Sequence, residues 1–217
     1  MKKFFGILAV FFLTLISMPA LAGNSGKWIA RFRLISVSPD DSSDAIANTG
    51  SKVDVDSDVV PEVDLTYMLN EHWGIEIIAA TSKHDLSAKG GSLNGANIGS
   101  VKVLPPTVTV NYHFTLKDRY HPYVGVGFNY TSFYNYDLSG DLANLGVTHI
   151  SFDSSTGIAG QLGIDIDLKD NWLINFDIKY IDISTDATII TANGDVLDRV
   201  SVDINPWVIG FGVGYRF

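Results

Sequence analysis

Apolar and polar residues alternate along most of the chain after residue 26. In eight stretches, aromatic and branched apolar side chains take every second position, and glycine, polar or charged residues lie between them. The stretches are 27–37, 62–69, 73–81, 107–114, 124–131, 158–168, 172–180 and 207–217. Because successive side chains of a strand point to opposite faces, this period predicts eight β-strands that are apolar on one face.

The connections between these strands are alternately short and long. Short turns at 70–72, 115–121 and 169–171 alternate with long polar connections at about 38–58, 82–100, 134–154 and 184–200. An even number of strands joined in this way is typical of bacterial outer-membrane barrels. The pattern predicts an all-β fold, an eight-stranded antiparallel transmembrane β-barrel whose apolar faces contact lipid.

The first 22 residues have the composition of a signal peptide. Two lysines precede an apolar run from Phe4 to Ile16, and Ala20-Leu21-Ala22 offers a cleavage point. The run is shorter than the roughly 20 apolar residues that a membrane-spanning helix needs. We expect cleavage after Ala22, so that residues 23–217 form the mature barrel in the bacterial outer membrane.

The mature chain is acidic and contains no cysteine. Removal of Lys2 and Lys3 changes the formal net charge from −9 to −11, which argues against nucleic acid as a partner. An exported domain without disulfides needs another source of stability. A closed barrel supplies it, because every backbone group of its wall is paired.

The polar faces of the strands carry charges of both signs. Five of them are expected to form a charge plug inside the barrel, namely Arg31, Arg33, Glu62, Asp64 and Glu76. Later strands add Asp165, Asp177, Lys179 and Arg216. Together these charges balance in sign, which favours a lumen of ion pairs over the solvated exterior of a soluble barrel or sandwich. The same residues also have a simpler interpretation, in which they only stabilise the barrel.

Apolar residues also occur on the inward faces, and they are our candidate substrate site. They are Ile35, Val37, Met68, Ile78, Ile181 and Ile183. An eight-stranded barrel is only wide enough to be filled by side chains or to hold one small ligand, which argues against a general porin. If the six residues cluster toward the loops, they form an apolar funnel above the plug.

Two prolines precede the fourth strand. Pro105 and Pro106 cannot donate to the strand ladder and weaken local pairing, so they are our candidate lateral exit into the membrane. An ordinary β-bulge at the start of the strand is the alternative interpretation.

Aromatic residues accompany the ends of the predicted strands. An aromatic girdle is expected near one rim of the lipid face, formed by Trp73, Tyr112, Trp172, Trp207 and Tyr215.

The last strand places four apolar residues on one face, and we expect them to be the signal read by the outer-membrane assembly machinery. They are Phe211, Val213, Tyr215 and Phe217. The alternative is that they are only half of an amphipathic strand.

Several longer motifs resemble the OmpW family of outer-membrane proteins. They are Leu104-Pro105-Pro106-Thr107, the segment 122–131, Asp203-x-x-Pro206-Trp207-Val208, Gly214-Tyr215-Arg216-Phe217, Thr66-Tyr67-Met68, Gly74-Ile75-Glu76 and Ala79-Ala80-Thr81. The resemblance extends over nearly the whole mature chain and is weakest in the long connections. It implies an eight-stranded outer-membrane barrel involved in the passage of small hydrophobic molecules.

Two other classes of function remain open at this point. The barrel could be a structural, adhesive or receptor protein whose extracellular loops bind a surface partner. A lipid-modifying enzyme is the third possibility, but no nucleophile lies in a recognisable elbow or beside a base at fixed spacing. The histidines lack the paired spacing of a metal site. We expect a monomeric, non-enzymatic channel without a cofactor, whose partners are outer-membrane lipid, the assembly machinery and small hydrophobic solutes.

Overall fold

The computed structural model describes residues 27–47, 49–144 and 146–217. The expected signal peptide, residues 1–22, lies outside these ranges. The elements in chain order are β1 (Trp28–Ser38), β2 (Ser42–Ser43), β3 (Lys52–Val55), β4 (Asp58–Met68), β5 (Trp73–Ala80), β6 (Ser82–Lys89), β7 (Asn97–Leu104), β8 (Thr107–His113), β9 (Tyr120–Leu138), α1 (Gly140–Asn144), β10 (Val147–Phe152), β11 (Ser155–Asp167), β12 (Trp172–Ile181), β13 (Ser184–Thr191), β14 (Val196–Asp203) and β15 (Trp207–Arg216). Within the described ranges, no helix is long and apolar enough to cross a membrane.

A closed antiparallel barrel contains the eight strands that the alternation predicts. Their order around the wall is β1-β4-β5-β8-β9-β11-β12-β15. The last strand closes the wall by pairing with the first, from Ile29 opposite Arg216 to Ser38 opposite Trp207. Closure leaves no free sheet edge among the strands of the wall. A wall surrounded by lipid requires this, because lipid offers no hydrogen-bond partner to an unpaired backbone group.

Side chains of the wall alternate between an apolar exterior and a polar interior. Val126 and Phe128 of β9 are 69% and 78% exposed on the outside of the barrel. Arg31 and Arg33 of β1 are 2% and 0% exposed inside it. This arrangement is the reverse of a soluble barrel and matches a wall that faces hydrocarbon.

The short turns lie where the sequence predicts them, at one end of the barrel. In the turn between β11 and β12, Asp170 and Asn171 have positive φ angles of 58° and 65°. Aspartate and asparagine tolerate this left-handed conformation better than most residues, so the local sequence fits the tight reversal.

Aromatic residues mark both rims of the barrel. At the turn end, Trp73 contacts Tyr112 at a ring distance of 5.0 Å, and Trp172 contacts Tyr215 at 5.3 Å. Trp207 was expected at this rim, and that prediction is wrong. It pairs with Tyr180 at the opposite end, because β15 begins there and runs toward the turns. Alternation shows which face of the wall a side chain occupies, but not its height, that is, its position along the barrel axis.

The long connections are largely folded and not irregular loops. β9 continues beyond the barrel and carries the sheet β9-β7-β6-β3, while a second sheet has the order β10-β13-β14-β2. Apolar side chains of both sheets form one cluster together with Ile46 and with Leu142 of α1, and its other members are Val55, Leu86, Ala88, Ile98, Val101, Val103, Val147, Ile150, Ala187, Ile189, Val200 and Val202. The alternation does not predict these strands, because aspartate, serine and glycine are frequent among their apolar residues.

Candidate functional site

A layer of ion pairs crosses the lumen, and Arg31 holds one side of it. The Nη1 atom of Arg31 donates to Asp64 Oδ1 at 2.7 Å. Its Nε and Nη2 atoms donate to Asp165 Oδ1 and Oδ2 at 2.9 and 2.6 Å. The guanidinium also lies over the ring of Tyr123, 5.5 Å from its centre. The bidentate bond to Asp165 fixes both the position and the orientation of the Arg31 guanidinium.

Arg33 is the centre of the same layer and is completely buried. Its Nε atom is 2.8 Å from Glu62 Oε1, and its Nη2 atom is 2.7 Å from Asp64 Oδ2 and 3.0 Å from Glu76 Oε1. The Nη1 atom donates to Asn175 Oδ1 at 3.0 Å. All five residues predicted as a charge plug therefore lie in one network.

The network also includes residues beyond the five of the predicted plug, among them the inward charges Asp165, Asp177 and Lys179. Lys179 Nζ donates to Glu62 Oε1 at 3.0 Å and to Asp177 Oδ1. Uncharged side chains complete it, and these are Asn111, Tyr123, Gln161 and Asn175. The amides lie at inward positions that alternation identifies, but a neutral side chain gives no sign that it binds a carboxylate.

Arg216 does not belong to this network, which corrects the expected balance of charge. It lies at the turn end of the barrel, with Nη2 3.4 Å from Asp167 Oδ1. Both side chains are partly exposed there. Since β15 ends at Arg216, this inward residue is too far along the strand to reach the centre of the lumen.

An apolar cavity lies between the ion-pair layer and the two sheets built from the long connections, β9-β7-β6-β3 and β10-β13-β14-β2, which we call the extracellular sheets. Five of the six predicted apolar residues line it, namely Ile35, Val37, Ile78, Ile181 and Ile183. Glu62 and Lys179 of the ion-pair layer also line it, and the apolar cluster of the extracellular sheets supplies further walls. The cavity volume is about 90 Å³, and because one water needs roughly 10–15 Å³ on this measure, a small molecule fits.

Met68 was predicted in this apolar site, and the structure places it elsewhere. It contacts Ile29 and Leu173 at the turn end of the barrel, on the far side of the ion-pair layer. The residue is inward as expected, but β4 runs from the extracellular end toward the turns and Met68 is its last residue.

The match to a known family covers almost all of the chain, because the OmpW family description fits residues 24–217. The chain belongs to the OmpW family. Outer membrane protein W of Vibrio cholerae is 38% identical over 206 residues, which cover 94% of each chain. Outer membrane protein W of Salmonella typhimurium is 34% identical over 218 residues and the full length of both chains.

A solved structure agrees with this assignment. The crystal structure of OprG from Pseudomonas aeruginosa has a TM-score of 0.81 and 35% sequence identity, and the match covers 89% of this chain and 96% of OprG. This OmpW-family protein is therefore a barrel of the bacterial outer membrane.

Pro105 and Pro106 interrupt the wall of this OmpW-family barrel beside the cavity. The strand pairs that flank them are Ser82 opposite Val103 and Ile78 opposite Thr107. Residues 79–81 and 104–106 therefore have no ladder partner across this seam. Asn129 Nδ2 donates to the carbonyl oxygen of Pro105 at 3.2 Å, and Pro105 lines the cavity.

The residues of the expected assembly signal lie along the outer face of β15 and just beyond its end. Phe211, Val213 and Tyr215 are exposed there. Phe217 follows the strand, and its N–H donates to the carbonyl oxygen of Trp28 at 2.9 Å. The four side chains lie along the strand that closes the barrel. Their role in assembly stays a prediction.

The extracellular end of this OmpW-family barrel is rich in aspartate. The aspartates there are Asp40, Asp41, Asp44, Asp54, Asp56, Asp58, Asp85, Asp137, Asp141, Asp153, Asp182, Asp186, Asp195, Asp198 and Asp203, and the basic residues are Lys52, Lys83, Lys89, Lys102 and Arg199. Burial and the neighbouring Asp54 carboxylate raise the pKa of Asp41 above its usual value. Lys89 Nζ donates to Asp54 Oδ1 at 2.9 Å, and this bond raises the pKa of Lys89. The surface above the cavity is therefore strongly negative.

Proposed function

We propose that the protein is a passive channel that carries small hydrophobic molecules across the outer membrane. The observation that carries this proposal is the apolar cavity between the extracellular sheets and the ion-pair layer. Buried apolar surface of this kind favours an apolar solute over water, because the transfer of apolar surface out of water is favourable.

The ion-pair layer supports a route that does not continue straight through the lumen. Arg31, Arg33 and their carboxylate partners are buried and bonded to one another. An apolar solute cannot replace these bonds, and breaking them would leave uncompensated buried charges. The layer therefore acts as a seal on the periplasmic side of the cavity.

We propose that the solute leaves sideways, through the seam beside Pro105 and Pro106. The prolines have no N–H to pair with, and residues 79–81 and 104–106 lack ladder bonds across this seam. Fewer backbone bonds have to break here than elsewhere in the wall. An apolar molecule that leaves through this seam enters the hydrocarbon layer of the membrane. Its own concentration gradient is the only driving force.

A second candidate function is adhesion through the extracellular sheets. The hairpin of β13 and β14 exposes two apolar residues near its tip, where Val196 and Leu197 are 62% and 53% exposed. Exposed apolar residues away from the lipid band favour contact with another surface.

Uptake of naphthalene by whole cells tests the proposal and separates the two functions. Cells that lack the protein are compared with the same cells carrying it, and heat-dependent gel mobility confirms that the protein is folded in the outer membrane of the second strain. A channel gives a several-fold faster initial uptake. Equal uptake in both strains would contradict the channel, and equal uptake with lost attachment to surfaces would favour adhesion.

A further inference from the structure

Four of the five basic residues of the extracellular end lie on one sheet, β9-β7-β6-β3. They form two pairs, because the strand register places Lys83 opposite Lys102 and Lys52 opposite Lys89. Like charges directly opposite each other on a sheet repel and destabilise it. The pair of Lys52 and Lys89 has a compensating anion, since Lys89 Nζ donates to Asp54 Oδ1 at 2.9 Å.

The pair of Lys83 and Lys102 has no such anion within the described ranges of the chain. No carboxylate there forms an ion pair with either ammonium group. The carboxylate of Asp58 is close, but it already accepts two backbone N–H groups, from Val59 and from Lys83, each at 2.8 Å. Two adjacent lysines without a counter-ion, on an end of the barrel that is otherwise strongly negative, indicate that an anion from outside the chain binds between them.

Two hydroxyl groups lie beside this lysine pair. Tyr134 is opposite Lys102 on the next strand, so Lys83, Lys102 and Tyr134 form a row across three strands on one face of the sheet. The Tyr134 hydroxyl is 2.6 Å from the hydroxyl of Thr81, which is exposed. Whichever hydroxyl donates this bond, the other keeps its hydrogen for an outside acceptor. Two ammonium groups and an O–H donor together suit a phosphate group.

The row lies on the outer surface of the protein, just above the lipid-facing band. Ser82 and Val103 line the cavity. Lys83 and Lys102 are their neighbours on the strands and therefore point away from the cavity. The next outward residue of β7 is Leu104, which is 39% exposed and leads toward the wall strand β8. Because the headgroup region of a bilayer begins directly beyond the hydrocarbon, the row is at the height of the headgroups in the outer leaflet.

We propose that Lys83, Lys102 and the two hydroxyl groups bind a phosphate group of a lipid in the outer leaflet of the outer membrane. The ammonium groups neutralise the phosphate, and the free hydroxyl hydrogen donates to one of its oxygen atoms. The phosphate in turn removes the repulsion between the two lysines. The site is separate from the proposed channel, because neither these lysines nor Thr81 and Tyr134 line the cavity.

Lipid A, a glycolipid that carries phosphate groups, tests the site on the purified protein in an uncharged detergent. Native mass spectrometry measures the fraction of the protein that retains a lipid, and lipid A is compared with lipid A from which the phosphates have been removed. We expect lipid A to bind several-fold more tightly than its dephosphorylated form. Equal binding of the two forms would overturn the phosphate site.

Inorganic phosphate, added as a competitor, distinguishes a lipid headgroup from a free anion. We expect lipid A to stay bound in the presence of an equal concentration of inorganic phosphate, because the membrane-facing position of the site favours a ligand that is anchored in the bilayer. Displacement of lipid A under these conditions would overturn the assignment to a lipid.

The double variant Lys83→Gln and Lys102→Gln tests the position of the site. We expect its affinity for lipid A to fall several-fold. The matched control is the double variant Lys52→Gln and Lys89→Gln, which removes the same charge from the same sheet and should keep the parental affinity. An equal loss in both double variants would mean that lipid A responds only to the total charge, and this result would overturn the site.

Stability gives a second readout that does not depend on mass spectrometry. Without lipid A, we expect the double variant of Lys83 and Lys102 to unfold at the same urea concentration as the parent or at a higher one, because a repulsion is removed. Added lipid A should stabilise the parent and the control more than this variant. Equal stabilisation of all three proteins would contradict the site. If the variant does not fold, the comparison of the two forms of lipid A on the unmodified protein still decides.

Discussion

Arg33 on β1 and Glu76 on β5 meet across the lumen, where Arg33 Nη2 donates to Glu76 Oε1 at 3.0 Å. Their strands are not neighbours, because β4 lies between them in the wall. The ion pair therefore connects strands that share no backbone hydrogen bonds. Neither side chain has any exposed surface, so each charge depends on its partners for compensation.

Removal of the Arg33 side chain is expected to destabilise the barrel strongly. Arg33→Ala leaves Glu62, Asp64 and Glu76 without their shared cation, and breaking a buried pair in this way costs about 3–5 kcal/mol. Urea unfolding in detergent micelles measures the change. Lys89→Ala is the control, because its ion pair with Asp54 lies on the surface, and we expect no measurable change. An Arg33→Ala variant as stable as the parent would contradict the structural role of the network.

Gly125 is expected to tolerate no side chain. A Cβ atom there would lie 2.9 Å from Gln161 Cγ and 3.0 Å from Asn111 Cγ, both of which hold the ion-pair layer. Overpacking of this kind typically costs about 1–3 kcal/mol. Gly160→Ala is the matched control, since no atom lies within 4 Å of its added methyl group. Equal unfolding midpoints of Gly125→Ala and Gly160→Ala would show that the lumen around Gly125 is less tightly packed than the structure indicates.

The apolar exterior of the wall predicts a contrast between two exposed valines. Val126→Arg puts a charge into the lipid-facing band, where arginine costs about 2–4 kcal/mol near the middle of the bilayer. Val196→Arg adds the same charge to the extracellular hairpin, where water solvates it. Refolding yields and unfolding midpoints in lipid vesicles compare the two variants. Similar behaviour of both would mean that the outer face of β9 does not contact lipid.

The seam beside the two prolines predicts a change in transport without a change in folding. In the double variant Pro105→Val and Pro106→Val, new N–H groups can extend the ladder, which closes the seam. We expect naphthalene uptake to fall several-fold, at an unchanged amount of folded protein. Pro122→Val is the control, because Pro122 pairs with Ile164 near the turn end of the barrel, far from the seam. Uptake that stays at the parental rate would exclude a lateral exit at this place.

The sequence was sufficient to predict the eight wall strands and the inward position of the charged residues, because alternation determines which face a residue occupies. It did not determine height along the barrel. Met68 and Trp207 have the predicted faces, yet each lies at the opposite end from the one expected. Height depends on where each strand begins and on its register with its neighbours, and both of these are tertiary properties.

The sequence also could not predict which side chains bond to one another within the lumen. Glu76 receives bonds from Asn111 Nδ2 at 2.5 Å and Gln161 Nε2 at 2.7 Å, from strands far apart in the chain. No local spacing relates these three residues. The extracellular strands were missed for a different reason, since their alternating apolar positions are separated by residues that also suit loops.

Blocking the cavity tests the channel function most directly. Ala187 is buried in the cavity wall, and Ala187→Trp would fill the space with an indole ring. Ala143→Trp is the control, because Ala143 is exposed on α1. With equal amounts of folded protein in the outer membrane, we expect Ala187→Trp to lower naphthalene uptake to the rate of cells without the protein, and Ala143→Trp to keep the parental rate. Parental uptake by the Ala187→Trp variant would show that solutes do not pass through this cavity.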